Sequence, residues 1–161
     1  MRVLAIAISV WLLSSASAIA NASVVAEIRS QTRAAIGERW ENVAVRIAFV
    51  ESRYNPRAIG PKTKYGRAAG VFQVMPRSAK ALGFEYKRLT QMKYGIAAGV
   101  AHMQMCIAHG VKTDSEMAAC HLKGVGGWRR NSKTKAKYIA KVLRAQETSD
   151  LRTKQETFSV D

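Results

Sequence analysis

The chain is short, strongly basic and moderately apolar. It has 161 residues, of which 26 are Lys or Arg and 11 are Asp or Glu, and 48% of its residues are hydrophobic. This length and apolar content suit one compact domain with a real core and exclude two such domains. The formal net charge of +15 does not specify a fold. It predicts attraction to polyanions, and nucleic acid, anionic membrane surfaces and the bacterial cell wall are the three that compete.

Residues 1–22 have the composition of a secretory signal peptide. The positive end Met1-Arg2 precedes an apolar run over residues 3–13, and small residues then offer cleavage sites after Ala18, Ala20 or Ala22. The apolar run is shorter than the roughly 20 residues that a membrane-spanning helix needs, so no stable membrane span is expected. Loss of Arg2 would leave 25 basic and 11 acidic residues, a net charge of +14. We therefore expect a periplasmic or secreted mature protein.

Export favours the cell wall among the three polyanions. The sequence contains no helix-turn-helix, zinc-finger or RNA-binding signature, so nucleic acid is not expected as a ligand unless the protein serves a DNA-transfer apparatus. Basic residues are densest at Arg129-Arg130 and over residues 133–141. The simpler interpretation of this density is a solvated face.

Apolar residues recur at helical spacing along residues 23–146, which predicts an all-α domain. The predicted helices are Ser23–Arg39, Glu41–Arg53, a helix from Pro76 that closes at Gly83, one from Gly95 to Gly110, Ser115–Leu122 and Thr134–Ala145. The polar and aperiodic residues 147–161 are predicted to form a disordered tail.

Glu51 lies on the apolar side of the second predicted helix. Ile47, Ala44 and Trp40 precede it at helical steps, so its carboxylate is predicted to project from the core-facing stripe. Burial raises the pKa of a carboxyl group, and a raised pKa is what a general acid needs near neutrality. The alternative is a surface carboxylate that pairs with a nearby arginine, for which the candidates are Arg46, Arg53 and Arg57.

The sequence around Glu51 matches a family motif at several positions in order. Glu51-Ser52, then Asn55-Pro56 with Ala58 two residues on, and then GVFQVMP over residues 70–76, resemble the pattern E-S, N-P-x-A, G-L-M-Q-x-M-P of the soluble lytic transglycosylases, relatives of goose-type lysozyme. The resemblance covers about residues 40–145. It implies a lysozyme-like helical domain with a long substrate-lining loop before Pro76, and it implies no metal and no other cofactor.

The resemblance also implies a reaction and a set of site residues. Most glycosidases use two carboxylates, and no second acid in this sequence has a comparable placement. In the family, one Glu protonates the glycosidic oxygen between N-acetylmuramic acid and N-acetylglucosamine, then takes the proton of the muramoyl 6-hydroxyl and leaves a 1,6-anhydromuramoyl end. Glu51 would have both roles here. The candidate substrate-binding residues are Ser52, Gln73, Met75, Tyr138 and, at a position that departs from the family pattern, His121. The alternative for Gln73 is a structural hydrogen bond within the loop, and the alternative for Tyr138 is a ring that only anchors its helix.

Two positions depart from the family pattern. Gly95 occupies the usual Asn position of N-I-x-x-G, so a cap or contact made by that Asn is absent. Cys120-His121 replaces the Tyr-Asn of A-A-Y-N-A-G, with one extra residue before Gly124. His121 either substitutes as a hydrogen-bonding group near the substrate or has a structural role.

Cys106 and Cys120 are the only two cysteines. They lie on the two arms of a predicted helical hairpin, and an exported protein meets an oxidising compartment, so we expect a disulfide between them. Two free buried thiols are the alternative.

Two other functions stay open at this point. One is a lysozyme-type hydrolase that uses Glu51 with water as the acceptor, and the other is a non-catalytic module that binds the cell wall. Peptidoglycan glycan strands are the expected partner, and the chain is expected to be a monomer. A small exported domain with a short tail resembles the specialised transglycosylases that open the wall for secretion or conjugation machinery, which implies such machinery as a second partner.

Overall fold

Six α-helices make up the fold over the residues that the structure describes. The computed structural model describes the backbone of residues 4–158 and the side chains of residues 19–145. Its helices are α1 (Leu4–Ile36), α2 (Glu41–Ser52), α3 (Pro76–Ala81), α4 (Met92–Ala108), α5 (Asp114–Lys123) and α6 (Lys133–Phe158), with 3-10 turns at Glu38–Trp40 and Tyr86–Arg88. These residues form isolated β-bridges but no sheet, and the predicted all-α, lysozyme-like class is confirmed.

Helix α1 is longer than the predicted Ser23–Arg39. Its backbone is helical from Leu4, so the expected cleavage sites lie within it, and the signal peptide stays a prediction. The helix ends at Ile36 because Gly37 adopts a positive φ of 94° and donates its N–H to the carbonyl oxygens of Thr32 and Arg33. Within the described part of the chain, no helix is both long enough and apolar enough to cross a membrane.

Helix α2 lies at the centre of the domain. It packs against α1, α5 and α6, while α1 also packs against α4 and α5 against α4. Buried Glu41 in its first turn accepts hydrogen bonds from Arg33 (2.6 Å) and Arg29 (3.4 Å) of α1, which fixes the angle at which the chain enters α2. The largest fully buried side chains come from α1, α2, α4, α5, α6 and the loops between them: Phe72, Ile28, Ile47, Leu89, Ile96, Met103, Met117, Val43, Val71 and Val142.

Helices α4 and α5 form the predicted hairpin. Cys106 and Cys120 are joined in a disulfide, with their Cα atoms 6.0 Å apart, so the bridge expected from the sequence is present. Thr113 caps α5: its hydroxyl accepts the backbone N–H of Glu116, and the carboxylate of Glu116 accepts the backbone N–H of Thr113. The cap at Thr113 fixes the turn of the hairpin, and the disulfide joins its two helices.

Helix α6 continues past the predicted end at Ala145. Its backbone is helical to Phe158, across most of the segment that was predicted to be a disordered tail (147–161), while residues 159–161 lie outside the described residues. The reason lies in composition: the segment is polar, but Gln, Glu, Leu, Arg and Lys all have good helix propensity.

A connection over residues 53–75 links α2 to α3. Antiparallel bridges between Ile59 and Ala69 and between Ala69 and Val74 hold it close to the domain. Its Phe72 is fully buried against Gly99 of α4, where an added Cβ atom would lie 2.2 Å from the Phe72 ring. This contact fixes the last part of the connection over the helices.

Candidate active site

Glu51 lies in the last turn of α2. The helix stops at Ser52 because Arg53 and Tyr54 both take left-handed conformations, with φ of 52° and 65°. Ile47, Ala44 and Trp40 on the same side of the chain are buried, as their spacing predicted. The Glu51 side chain itself is only 20% exposed, so its carboxyl group is held mainly within protein and keeps a small opening to solvent.

Tyr138 of α6 is the direct hydrogen-bond partner of Glu51. Its hydroxyl donates to Oε1 of the Glu51 carboxylate, and the Tyr138 ring is partly buried against the core. Because α2 packs along α6, this bond joins residues that lie far apart in the sequence. Tyr138 thus holds one carboxylate oxygen and leaves the other without a hydrogen bond from the described residues.

The surroundings of Glu51 favour its protonated form. Burial raises the pKa of this carboxyl group above its ordinary value. The hydrogen bond from Tyr138 and the positive charge of Lys141 both oppose that rise, because they stabilise the carboxylate. A carboxyl group whose pKa is raised in this way keeps its proton to a higher pH than a free glutamate does, and this is the property that a general acid needs.

His121 of α5 lies close to the Glu51 carboxylate. Its Nε2 atom is 3.8 Å from Oε1 of Glu51 and 3.1 Å from the carbonyl oxygen of Phe72. A carbonyl oxygen only accepts, so Nε2 carries the hydrogen and donates it to Phe72. Nδ1 is then an acceptor, and it is buried without a hydrogen-bond partner among the described residues.

A second histidine stacks against His121. The ring centroids of His102 and His121 are 5.3 Å apart. Burial lowers the pKa of His121 to about 4, although its bond to Phe72 opposes this, and burial together with the neighbouring His121 lowers the pKa of His102 to about 3. Both rings are therefore neutral at pH 7. The imidazole next to Glu51, that of His121, is therefore polar but uncharged, and so is the His102 ring packed against it.

The side chains of Ser52 and Gln73 form hydrogen bonds with the connection over residues 53–75 rather than with the Glu51 carboxylate. Ser52 donates its hydroxyl hydrogen to the carbonyl oxygen of Val71 (2.8 Å). The side-chain amide of Gln73 donates to the carbonyl oxygens of Gly70 (2.9 Å) and Ala58 (3.1 Å), and Gln73 itself has a φ of 48°. Met75 is half-buried at the start of α3. The structure thus brings Glu51, Tyr138 and His121 together, and it places Ser52, Gln73 and Met75 on the adjoining loop.

Two neighbours of the site were not predicted from the sequence. Lys141 follows Tyr138 by three residues on α6, and this spacing could have identified it as a neighbour of whatever Tyr138 contacts. His102 carries no such signal, because its approach to His121 depends on how α4 and α5 pack. In the part of the chain that the structure describes, no three His, Cys, Asp or Glu side chains cluster as a metal site would require.

Comparison with known proteins places the chain in a family. A family model described as the transglycosylase SLT domain matches residues 29–142, a span that includes Glu51, Gln73, His121 and Tyr138. Searches of curated proteins and of solved structures returned no match. The chain therefore belongs to the SLT family of peptidoglycan lytic transglycosylases, whose members act on peptidoglycan outside the cytoplasm.

Proposed function

We propose that this chain is an exported peptidoglycan lytic transglycosylase in which Glu51 is the single acid and base. The observation that carries the proposal is the state of the Glu51 carboxyl group: it is four-fifths buried, its pKa is raised by that burial, and Tyr138 holds one of its oxygens. A carboxyl group that keeps its proton to a higher pH than a free glutamate is better able to protonate a leaving group.

In the first step, protonated Glu51 gives its proton to the glycosidic oxygen between N-acetylmuramic acid and N-acetylglucosamine. The bond from the muramoyl C1 to that oxygen breaks, and the N-acetylglucosamine end leaves as an alcohol. The carbonyl oxygen of the substrate's own N-acetyl group stabilises the positive charge that forms at C1. Glu51 is then a carboxylate, and the Tyr138 hydrogen bond stabilises that charge.

In the second step, the Glu51 carboxylate takes the proton of the muramoyl 6-hydroxyl. The 6-oxygen bonds to the positively charged C1 and closes the 1,6-anhydro ring, so the charge at C1 that the N-acetyl oxygen stabilised is gone. Glu51 is protonated again, so the two steps balance without water. The neutral state of His121 and His102 favours this cycle, because a cation 3.8 Å from the carboxylate would oppose its reprotonation.

The other carboxylates of the described region support a mechanism with one acid. Glu41 pairs with Arg29 and Arg33, Asp114 pairs with Arg39 and Arg46, and Glu85 pairs with Arg88. The carboxylate of Glu116 is used in the cap of α5. Glu27 accepts a hydrogen bond from Gln31, and Glu38 is exposed. Among the described residues, none of these side chains forms a hydrogen bond or ion pair with Glu51, which supports a mechanism with one catalytic acid.

The nature of the product separates this proposal from a hydrolase. Purified peptidoglycan is digested with the protein, and the soluble fragments are separated and weighed by mass spectrometry. A transglycosylase gives fragments that end in 1,6-anhydromuramic acid, and each is lighter by one water than the reducing fragment that a lysozyme-type hydrolase gives. Reducing ends alone would exclude the transglycosylase reaction and leave the hydrolase.

The variant Glu51→Gln separates an enzyme from a binding module. We expect it to lose at least 100-fold in the rate of peptidoglycan release, within the roughly 10²–10⁴-fold that general acid–base catalysis contributes. Glu85→Gln is the matched control, because that side chain is 72% exposed and, within residues 19–145, pairs with Arg88 and forms no hydrogen bond or ion pair with Glu51. If both variants clear a cell-wall suspension at the wild-type rate, Glu51 is not the catalytic acid.

We also propose where and how the enzyme acts. Residues 1–22 are removed on export, the mature protein acts as a monomer, and it opens the wall locally for a secretion or conjugation apparatus. The first of these rests on the apolar run after Arg2 and the small residues that follow it. N-terminal sequencing of protein recovered from the periplasm tests it directly, since an intact Met1 would contradict cleavage.

A further inference from the structure

Four exposed cations form a line along α6, which we call the basic stripe: Lys133, Lys137, Lys141 and Arg144. Successive members are four, four and three residues apart. At about 100° per residue, these intervals place all four within an arc of about 80° on one side of the helix. The stripe is about 17 Å long, because each residue of the helix adds about 1.5 Å.

The described part of the chain supplies no opposite charge along this stripe. Residues 133–145 contain no Asp or Glu. No ion pair within residues 19–145 involves any of the four side chains. The fifth cation of the segment, Lys135, is on another side of α6, where it is buried and donates to the carbonyl oxygen of Trp128 (3.0 Å). The four charges of the stripe therefore face solvent together.

The stripe adjoins the candidate active site. Tyr138, which bonds Glu51, lies on α6 between Lys137 and Lys141 in sequence and about 60° from Lys141 around the helix. The positive charge of Lys141 reaches the Glu51 carboxylate, where it opposes the effect of burial. The stripe therefore begins beside the carboxylate at which the substrate would be cleaved, within reach of groups attached to the bound strand.

We propose that the basic stripe binds the carboxylates of the peptide stems on the glycan strand that is cleaved at Glu51. This inference rests on the proposed function, since it assigns a second point of contact to the same substrate. Stem peptides are attached to the muramoyl sugars, so a strand in the site carries carboxylates beside it. Lysine side chains suit such mobile ligands, because the ammonium group is a flexible point charge and does not demand the fixed planar geometry that a guanidinium does.

The test uses a variant that removes the stripe without touching the neighbour of Glu51. Lys133→Gln, Lys137→Gln and Arg144→Gln are combined, and Lys141 is kept. The matched control combines Lys87→Gln, Lys93→Gln and Lys112→Gln, three exposed lysines outside α6 that give the same change in net charge. At low salt we expect KM for intact peptidoglycan to rise about 10-fold in the stripe variant, from three weak exposed contacts together. We expect kcat of both variants to stay within about twofold of wild type.

Two further conditions identify the ligand. At about 0.5 M salt, where charges are screened beyond a few ångströms, the KM difference should disappear. On glycan strands from which an amidase has removed the stems, wild type and the stripe variant should have the same KM. A stripe variant that behaves like the control, or a KM difference that persists on strands without stems, would overturn the proposal.

Binding measured without turnover keeps this proposal separate from the proposed function. The stripe variant and the control are each combined with Glu51→Gln, and their co-sedimentation with insoluble peptidoglycan is measured. Weaker binding only in the stripe variant supports the stripe even if the wild-type protein proved inactive. Unchanged binding to peptidoglycan, with loss of binding to anionic vesicles or to DNA instead, would assign the stripe to a different polyanion and contradict the proposal.

Discussion

The hydroxyl of Tyr138 on α6 donates a hydrogen bond to the Glu51 carboxylate on α2, across 87 positions of the sequence. This bond and the burial of Glu51 act in opposite directions. Burial favours the neutral carboxylic acid, whereas the hydrogen bond favours the carboxylate. Tyr138 therefore helps to decide at which pH Glu51 gives up its proton.

Tyr138→Phe should move the pH dependence of activity in a direction that a merely structural role would not. Without the hydroxyl, the pKa of Glu51 rises further, so the general acid stays protonated to higher pH. We expect the alkaline limb of the profile of kcat/KM against pH to shift to higher pH, while kcat falls roughly 10- to 100-fold because the carboxylate formed in the first step loses a charge-assisted hydrogen bond. Tyr86→Phe is the control, since that ring is also partly buried but its hydroxyl forms no hydrogen bond with Glu51. An alkaline limb that stays in place would contradict this role of Tyr138.

The two buried histidines should make folding stability sensitive to acid. His121 and His102 have a pKa of about 4 and about 3 in the folded chain, against an ordinary value of 6.5. The unfolded state therefore binds more protons as pH falls below about 6.5, and stability is lost between that pH and the folded-state values. His121 alone should account for roughly 3 kcal/mol of this loss, since each pKa unit corresponds to about 1.4 kcal/mol.

His121→Gln tests this dependence. Urea unfolding of wild type and variant between pH 7 and pH 4 should give a shallower loss of stability in the variant, because one of the two groups no longer takes up a proton on unfolding. Glu51 and His102 face His121 in the fold. The raised pKa of Glu51 has the opposite effect on folding stability, because it makes the folded state less stable as pH rises. His109→Gln, at an exposed position, should leave the slope unchanged. Equal slopes in wild type and His121→Gln would show that His121 is not held neutral.

The sequence was sufficient to predict the helices and the position of Glu51, because both depend on local spacing. Ile47, Ala44 and Trp40 are buried, so the helical period located the side of α2 from which Glu51 projects. The position of Tyr138 near Glu51 came from the resemblance to the family, since nothing in the spacing connects α2 to α6. The outer end of α6 extends past its predicted bound because a polar segment of good helix formers can continue a helix without an apolar stripe. The outer end of α1 lies in the segment that was interpreted as a signal peptide and was therefore not assigned to the domain.

The sequence could not decide which side chains hydrogen-bond to the loop, although a structural bond within the loop was one of the two interpretations of Gln73. Ser52, Gln73 and His121 each carry side chains that could contact a sugar, yet each bonds a backbone carbonyl oxygen of residues 58–72. The direction of a carbonyl depends on the path of the loop, and that path depends on tertiary contacts such as Phe72 with Gly99. Side-chain chemistry alone therefore does not distinguish a substrate contact from a contact that shapes the loop.

Reduction of the disulfide should destabilise the fold. The bond closes a loop between Cys106 and Cys120, which are 14 residues apart, and a loop of about that length is stabilised by roughly 3 kcal/mol in the chain-entropy account. We expect the paired variant Cys106→Ala with Cys120→Ala to lose about 2–4 kcal/mol in the free energy of unfolding. The wild-type protein in a strong reductant should lose a similar amount, whereas the variant should not respond to the reductant. A wild-type protein whose stability is unchanged by reductant would contradict the presence of the bond.

Gly95 stands where the family usually has Asn, and the structure gives a steric reason why Asn should not be tolerated here. A Cβ atom on Gly95 would lie 2.1 Å from the carbonyl oxygen of Leu89, and one on Gly70 would lie 2.2 Å from the same oxygen. Gly95→Asn should therefore destabilise the chain by about 1–3 kcal/mol or more instead of restoring a lost cap. Gly95→Ala should cost a similar amount, because the clash arises at Cβ. Gly126→Asn is the control, since nothing lies within 4 Å of a Cβ atom there. Urea unfolding that gives Gly95→Asn the wild-type midpoint would show that Leu89 can move away, and that the usual Asn is absent for another reason.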